Sequence, residues 1–539
     1  MTDCTQWQPE TGRQPETGRQ PEEVATGRSA TAVLDREATK RVARGGLANM
    51  AGSALAGGAG VVVTWVVARS LGTDQAGAFF SATAAFVLTG GLAKLGTQTG
   101  LVYWPARLRA TGRDRLLGAC LRTGLMPVLV LSLVLAAGLW TLAPAIARTT
   151  AHQAAGVIGA HTAGLRALAV FVPLQAMTDA LLTATRGYRA MRPTVLLDRV
   201  LRSGLQVVLV AAAGIAALSL PLFATAWAAP YLPVTVLAAY GLRRLYRASK
   251  PPGATTTRAE RSELRHAFWR FTGPRALASV AQLALQRVDV LLVAALGGLA
   301  PAAIYAVAGR FVVLIQFANQ GISQSVQPRL AEALATGDRD AANHLYQTAT
   351  GWLVLVTWPI NLLVMLFAPV YLRLFGDGYT RGVPVVVVLA GAMLVATGCG
   401  MVDMVLAMAG RTSWNLANVL VALAVTVGLD GLLVPRMGAL GAAIGLACAM
   451  IANNLLPLIQ VGRSVRLHPF GAGTRAAALL SVGCFGLLPR LATALAGGGP
   501  VGLTLAVLVG TPAFLAGAWL LRGPLALDAF KPFGKRRTS

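Results

Sequence analysis

Long apolar segments alternate with short polar segments along most of the chain. An α-helix needs about 20 predominantly apolar residues to cross the hydrocarbon layer of a bilayer. Segments of this kind lie near 45–68, 76–102, 117–144, 164–185, 193–217, 221–242, 268–296, 301–327, 351–374, 383–408, 412–434, 437–461, 474–492 and 500–521. The pattern predicts an all-α, polytopic membrane protein with about fourteen transmembrane helices.

One long polar stretch interrupts the apolar body and separates six predicted helices from eight. A polar segment at the N-terminus, in which QPETGR occurs twice, cannot bury a core and is expected to be disordered. The predicted parts are a disordered cytoplasmic tail at 1–44, a six-helix bundle at 45–242, a cytoplasmic linker at 243–267, a second six-helix bundle at 268–462, two extra transmembrane helices at 463–522 and a basic cytoplasmic tail at 523–539.

Basic residues concentrate in alternate loops, as the positive-inside rule describes. With the N-terminus inside, the cytoplasmic loops hold the clusters at 107–115 and 186–192, the central linker, the 463–475 loop and the C-terminal tail. The opposite loops hold only isolated arginines. Because a miscounted helix would reverse every later loop, this alternation predicts an even number of spans with both termini in the cytoplasm.

Polar side chains share one face of the predicted seventh helix. Successive members are seven, four and three residues apart, and at about 100° per residue they stay in one narrow stripe. They are Arg275, Gln282, Gln286 and Asp289. The predicted eighth helix carries a second, amide-rich stripe. Its members are Gln316, Gln320, Gln324 and Gln327.

These stripes have two interpretations. Polar side chains in a span usually face a bundle interior or a water-filled cavity, but they also form interhelical hydrogen bonds that hold helices together. Two neighbouring stripes favour a solvated central cavity. Arg310 lies near mid-depth at the edge of the second stripe, with no acidic residue one turn away. It either pairs with another helix or awaits an anion.

Other charged residues have more local interpretations. Asp289 and Asp403 are candidates for ion coupling, although Asp403 could equally bond to a neighbouring helix. Asp198 and Arg202 are four residues apart, a spacing that predicts a structural ion pair. Lys94 and Arg122 lie close enough to the inner face to extend toward the headgroups.

Composition excludes several classes of function. Only 13% of residues are charged, and the net charge is +26. The basic residues lie in the loops between apolar segments, where they indicate membrane topology, so we expect no nucleic-acid binding. No phosphate-binding loop, metal-ligand spacing or cysteine pairing occurs, so we expect no enzyme activity, cofactor or metal. The preference for Arg over Lys and the abundant Ala, Gly and Val indicate a GC-rich bacterial genome. The expected location is a bacterial cytoplasmic membrane.

Five short segments resemble one family of membrane proteins. They are Ala68–Gly72 leading to Gly77, Arg287–Leu292, Tyr305–Arg310, Phe367–Tyr379 and Ala409–Ala443. In this order they are similar to the polysaccharide flippases of the multidrug/oligosaccharidyl-lipid/polysaccharide exporter superfamily. Ala303 and Ala76 depart from the usual glycine and aromatic residue of that pattern. The resemblance covers residues 45–465, and the extra final helices are similar to those of the branch that handles lipid-linked oligosaccharides.

The resemblance implies two bundles around a central cavity and a monomeric transporter that works by alternating access. Its substrate would be an oligosaccharide on a polyprenyl diphosphate, flipped from the inner to the outer leaflet for polysaccharide synthesis. Arg310 and Arg275 would bind the diphosphate, and the glutamines of the two stripes would bind sugar hydroxyls. Membrane lipids, a polysaccharide polymerase and glycosyltransferases are the expected partners.

Three rival functions remain open at this stage. The first is a cation-coupled multidrug exporter of the same superfamily, although such exporters typically have twelve helices and acidic residues in the cavity. The second is a non-transporting membrane scaffold of a polysaccharide-synthesis complex, and the third is a lipid-handling enzyme. The predicted fourteen spans and the net-basic cavity favour the flippase.

Overall fold

The computed structural model describes residues 21–151, 155–249, 256–496 and 499–527. Within these ranges the chain forms helices and no strand. Residues 50–539 make one compact unit and residues 1–49 another, and every contact below belongs to the larger unit. Parts of both predicted tails, 1–20 and 528–539, lie outside the described residues.

The helices of the first half follow one another with short connections. They are α1 (Pro21–Ala93), α2 (Thr97–Ala110), α3 (Leu117–Thr150), α4 (Ile158–Gly187), α5 (Ser203–Ile215), α6 (Leu220–Ala228) and α7 (Tyr231–Ser249). A π-helical stretch, Thr194–Arg202, leads into α5, and 3₁₀ turns at Asp114–Leu116 and Ala155–Val157 precede α3 and α4.

The second half continues the same pattern. Its helices are α8 (Arg258–Leu292), α9 (Leu299–Ala308), α10 (Arg310–Ala335), α11 (Arg339–Leu366), α12 (Ala368–Arg373), α13 (Val383–Gly398), α14 (Val402–Met408), α15 (Thr412–Met437), α16 (Ala439–Ser464), α17 (Ala472–Val482), α18 (Leu488–Ala496) and α19 (Pro500–Leu520). π-helical stretches follow α8 at Val293–Gly297 and α17 at Gly483–Leu487, and a 3₁₀ helix lies at Asp377–Gly382.

Twelve helical segments of the described ranges are long and apolar enough to cross a membrane. Two features account for the difference from fourteen. Gly52–Ala93 has 42 residues, about twice what one span needs, and it breaks at Gly72, where φ is 70°. The predicted span at 193–217 is divided between the π-helical stretch and α5. The prediction of an all-α, multi-pass membrane protein is confirmed, and fourteen is an approximate count of its spans.

Two pairs of adjacent helices and one N-terminal helix cap show how local sequence determines parts of the fold. α3 packs along α4, and α15 packs along α16, each pair joined by a short connection. Thr257 and Glu260 form a capping box at the start of α8, since each side chain accepts a hydrogen bond from the other residue's backbone N–H. Apolar segments in lipid must satisfy their backbone groups internally, which helices do.

The largest apolar cluster joins both halves at the end that the charge pattern assigns to the outside. It contains Val67 and Phe79 of α1, Ala302 of α9 and Tyr379. In the same region Trp65 and Arg69 donate hydrogen bonds to the carbonyl oxygen of Leu374 at 2.8 and 3.0 Å. This predicted outer end is therefore closed across the two bundles.

A different set of contacts holds the predicted inner end. Phe268 of α8 packs with Leu101 of α2 and Leu121 of α3, so α8 reaches across to the first bundle. The inner half of α10 packs instead with α11 and α14, through Val326 and Leu330. The last helices lie on α11, where Val354 contacts a cluster that includes Ala477 and Ala518.

One local expectation is corrected here. Lys94 does not extend toward the headgroups, because its Nζ forms an ion pair with Asp179 of α4 at 2.7 Å. The carboxylate could not be anticipated because it lies 85 residues away in the sequence. Arg122 is exposed at the start of α3, as expected.

Candidate functional site: a cationic centre between the bundles

Arg310 is the first residue of α10 and lies against the first bundle. Its Nε is buried and has no hydrogen-bond partner among the described residues. The guanidinium carbon lies 5.8 Å from the ring centroid of Phe80 in α1, a cation–π distance. Tyr371 also lies within electrostatic range, although its hydroxyl is already used, donating to the carbonyl of Val307 at 3.0 Å. The sequence-predicted arginine is thus half-buried, with a buried Nε and no ion-pair partner among the described residues.

Arg287 of α8 lies within electrostatic range of Arg310, so the two positive charges disfavour each other. The Nε of Arg287 is also buried without a partner, and neither arginine forms an ion pair within the described ranges. Asp289 compensates Arg287 in part through the electrostatic interaction between them. Arg287 does not belong to the polar stripe of this helix, because it lies about 100° around the helix from Gln286. The helical spacing of polar residues therefore could not identify it.

The first bundle adds a third arginine. Arg202 donates to Asp198 at 2.7 Å and to Gln206 at 3.0 Å, so the predicted Asp198–Arg202 ion pair is confirmed. Its guanidinium carbon lies 5.2 Å from the ring centroid of Tyr231, which also interacts electrostatically with Arg287. We call Arg202, Arg287 and Arg310 the cationic centre. Only Arg202 has its charge satisfied by a direct ion pair.

Two exposed amide faces accompany this centre. Gln282 and Gln286 of α8 are exposed, although the opposite side of the helix buries residues such as Ala281. On α10 the exposed amides are Gln316, Gln320, Gln324 and Gln327. Amide side chains facing lipid would be costly, so their exposure indicates contact with a water-filled space. None of these six glutamines forms a side-chain hydrogen bond with another helix among the described residues. The alternative interpretation, in which they hold helices together, is therefore not supported.

Arg275 is held away from the cationic centre. It lies twelve residues before Arg287 on α8, about 18 Å along a helix. Its guanidinium carbon lies 3.9 Å from the ring centroid of Phe271, and Phe271 stacks on Tyr103 of α2 at 4.4 Å. One diphosphate group is too short to bridge this distance. Arg275 and Arg310 would therefore contact different parts of a ligand.

The acidic residues of the second half lie in two different environments. Asp289 is buried and accepts hydrogen bonds from the Tyr305 hydroxyl at 2.6 Å and from the Val290 N–H at 2.8 Å. Asp430 of α15 is fully buried, and neither of its carboxylate oxygens has a partner among the described residues. The two acids interact electrostatically.

Asp403 lies apart from this buried pair. It is exposed in the first turn of α14, and its backbone carbonyl, not its side chain, accepts a hydrogen bond from Asn415 of α15. Asp430 escaped the sequence analysis because a single acid in a span shows no stripe. Its close packing against Gly445 of α16, where any side chain would clash with the carboxylate, depends on the tertiary structure.

One family model and several solved structures are similar to this chain. The MatE family model matches residues 274–429, a segment that contains Arg287, Asp289 and Arg310. No curated protein matches the chain in sequence. A solved structure of the lipid II flippase MurJ in an inward closed conformation is similar with a TM-score of 0.67 at 11% identity, covering 90% of this chain and 99% of that one.

Two further solved structures are similar over most of their lengths. An inward-facing multidrug resistance MATE family transporter of the MOP superfamily has a TM-score of 0.60 at 18% identity, covering 77% of this chain and 94% of that one. A MOP superfamily transporter from Pyrococcus furiosus, described as having a binding pocket of reverse polarity, has a TM-score of 0.54 at 16% identity, covering 78% and 95%. At these identities the likeness establishes the fold, and at that level the predicted resemblance is confirmed.

Proposed function

We propose that this chain, which has the fold of the multidrug/oligosaccharidyl-lipid/polysaccharide exporter superfamily, flips an oligosaccharide on a polyprenyl diphosphate carrier. The movement would run from the inner to the outer leaflet by alternating access and would serve cell-surface polysaccharide synthesis. The location that fits this role is a bacterial cytoplasmic membrane, with both termini in the cytoplasm as the basic loops predict.

The pairing of Arg287 with Arg310 carries this proposal. Two half-buried guanidiniums that lie within electrostatic range of each other, without ion-pair partners among the described residues, favour an anion that binds between them. A diphosphate supplies several oxygen acceptors in a compact group, and guanidinium donors bind such oxygens in bidentate geometry. A cationic drug would instead be repelled by this charge.

The exposed amide faces support the oligosaccharide part of the proposal. Sugar hydroxyls both donate and accept hydrogen bonds, and a glutamine amide offers both functions to them. The faces on α8 and α10 extend from the cationic centre toward the predicted inner end. The amide faces therefore lie along the path that a substrate from the inner leaflet would follow to the cationic centre.

A second candidate function is a cation-coupled multidrug exporter. The buried carboxylate of Asp430 favours it, because an acid without a partner among the described residues is stabilised by a proton or a cation, and Asp289 lies within electrostatic range of it. The similarity to a MATE family transporter supports the same alternative. The acid pair is equally compatible with a flippase whose turnover is driven by an ion gradient.

Reconstituted protein separates the two candidates. Purified protein in liposomes should move a fluorescent polyprenyl-diphosphate disaccharide between leaflets and should leave a fluorescent cationic drug in place. Liposomes containing the Arg287→Ala, Arg310→Ala double variant are the control for leakage. Drug transport without movement of the diphosphate lipid would reject the flippase and support the exporter.

A further inference from the structure

A basic pocket lies outside the cationic centre, at the predicted inner end. Its volume is about 530 Å³. The first turns of α3, the last turns of α7 and the first turns of α8 form its walls, so both halves of the chain contribute. The described residues that line it include no acidic residue. They include five arginines, which are Arg115, Arg122, Arg258, Arg261 and Arg265.

The local ion pairs leave this charge largely uncompensated. Glu260 at the rim pairs with Arg115 at 2.6 Å. Arg261 uses its Nε on the backbone carbonyl of Thr257 at 3.3 Å, a bond that leaves its charge unbalanced. Arg122 forms no ion pair within the described ranges. A pocket with this surplus of guanidinium charge attracts an anion.

The remaining lining groups narrow the chemistry of that anion. Hydroxyl groups of Tyr246 and Ser262 join the arginines in the wall, whereas the Thr123 hydroxyl already donates to the carbonyl of Ala119 at 2.9 Å. A phosphate oxygen accepts hydrogen bonds from hydroxyls and from guanidinium N–H groups alike. We therefore infer that this pocket binds a phosphate-bearing headgroup of an anionic phospholipid.

A lipid is favoured over a soluble phosphate by the surface beside the pocket. From Arg122 the same side of α3 continues through Met126, Val130 and Leu133, which are 4, 8 and 11 residues further along. These side chains are 56%, 57% and 53% exposed. Acyl chains would lie along this apolar strip while the headgroup fills the basic pocket above it.

The position of the pocket gives the bound lipid a structural role. α3 belongs to the first half of the chain, and α8 opens the second half and carries Arg287 of the cationic centre. A headgroup held by Arg122 and Arg261 would tie these two helices together at the inner end. Anionic lipid would then stabilise the protein independently of any transported substrate.

The test measures thermal unfolding of detergent-purified protein with added lipid. Phosphatidylglycerol should raise the melting temperature, whereas phosphatidylcholine and soluble glycerol phosphate at the same phosphate concentration should not. The Arg122→Gln, Arg261→Gln variant should lose at least half of that rise. The Arg463→Gln, Arg475→Gln variant removes two exposed arginines of another predicted inner loop and should keep it.

Bound lipid can also be counted directly, which covers the case of an unstable variant. Native mass spectrometry should find fewer phosphatidylglycerol molecules retained by the pocket variant than by the control variant. An equal rise or equal retention in both variants would overturn the proposal. A shift with soluble glycerol phosphate as large as with phosphatidylglycerol would show a soluble phosphate site and would overturn the lipid assignment.

Discussion

The guanidinium groups of Arg287 and Arg310 lie within electrostatic range of each other, and neither has an ion-pair partner among the described residues. Removing such charges from water costs several kcal/mol each when nothing balances them. Asp289 offsets part of the cost for Arg287. An arrangement that opposes folding in this way is expected at a site that binds an anion.

The amide face of α10 should affect substrate recognition and not stability. For the Gln320→Ala, Gln324→Ala variant we expect KM for the lipid-linked oligosaccharide to rise several-fold, since each lost hydrogen bond is worth about 1 kcal/mol. Its melting temperature should stay unchanged because both side chains are exposed. Gln75→Ala, at an exposed position near the predicted outer end, is the control and should have normal kinetics.

The buried acid pair should couple transport to an ion gradient. Asp430→Asn keeps the shape of the side chain but removes the charge that a proton or cation would balance. Stimulation of transport by an imposed proton or sodium gradient should disappear in this variant and persist in Asp403→Asn, whose side chain is exposed. Loss of stimulation in Asp403→Asn alone would place the coupling site at Asp403, one of the two candidates that the sequence indicated.

The hydrogen bond between Tyr305 and Asp289 should stabilise the second bundle. Tyr305→Phe removes a hydroxyl that donates at 2.6 Å to a buried carboxylate. We expect a loss of about 1 to 2 kcal/mol in the free energy of unfolding, measured by denaturation in detergent. Tyr240→Phe, at a position 67% exposed, should change it little. Equal effects of the two variants would contradict a specific role for the Tyr305 hydroxyl.

Close packing at the predicted outer end should tolerate no added side chain at Gly77. A Cβ there would collide with the backbone carbonyl of Leu299, which cannot move independently of α9. Gly77→Ala should lower the free energy of unfolding by about 1 to 3 kcal/mol. Gly60→Ala, where a Cβ meets nothing within 4 Å, should be neutral or stabilising. A Gly77→Ala protein as stable as the wild type would show that the helices separate easily here.

The transmembrane helices could be predicted from the sequence because each apolar segment must satisfy its own backbone in lipid. Their number was less certain because two irregularities divide or merge spans. Gly72 interrupts one helix, and the π-helical stretch Thr194–Arg202 precedes α5. The break at Gly72 falls between the predicted spans 45–68 and 76–102, whereas the π-helical stretch leaves the hydrophobic pattern unchanged.

The candidate site could be predicted only where its residues share a helix face. Arg310 and the glutamine stripes follow from helical spacing, and the glutamines are exposed in the structure. Arg287, Asp430 and the Lys94–Asp179 pair depend on which helices pack together. Periodicity within one helix contains no information on those contacts.

The most direct test of the central claim measures binding of a polyprenyl-diphosphate sugar to purified Arg310→Ala, Arg310→Lys and wild-type protein. Losing hydrogen bonds from a guanidinium to a diphosphate should weaken binding by about 10- to 100-fold in Arg310→Ala. Arg310→Lys, which keeps the charge but not the bidentate geometry, should fall between the two. Arg436→Ala, at an exposed position in the last turn of α15, is the control and should bind with wild-type affinity. Equal affinity of Arg310→Ala and wild type would contradict the account.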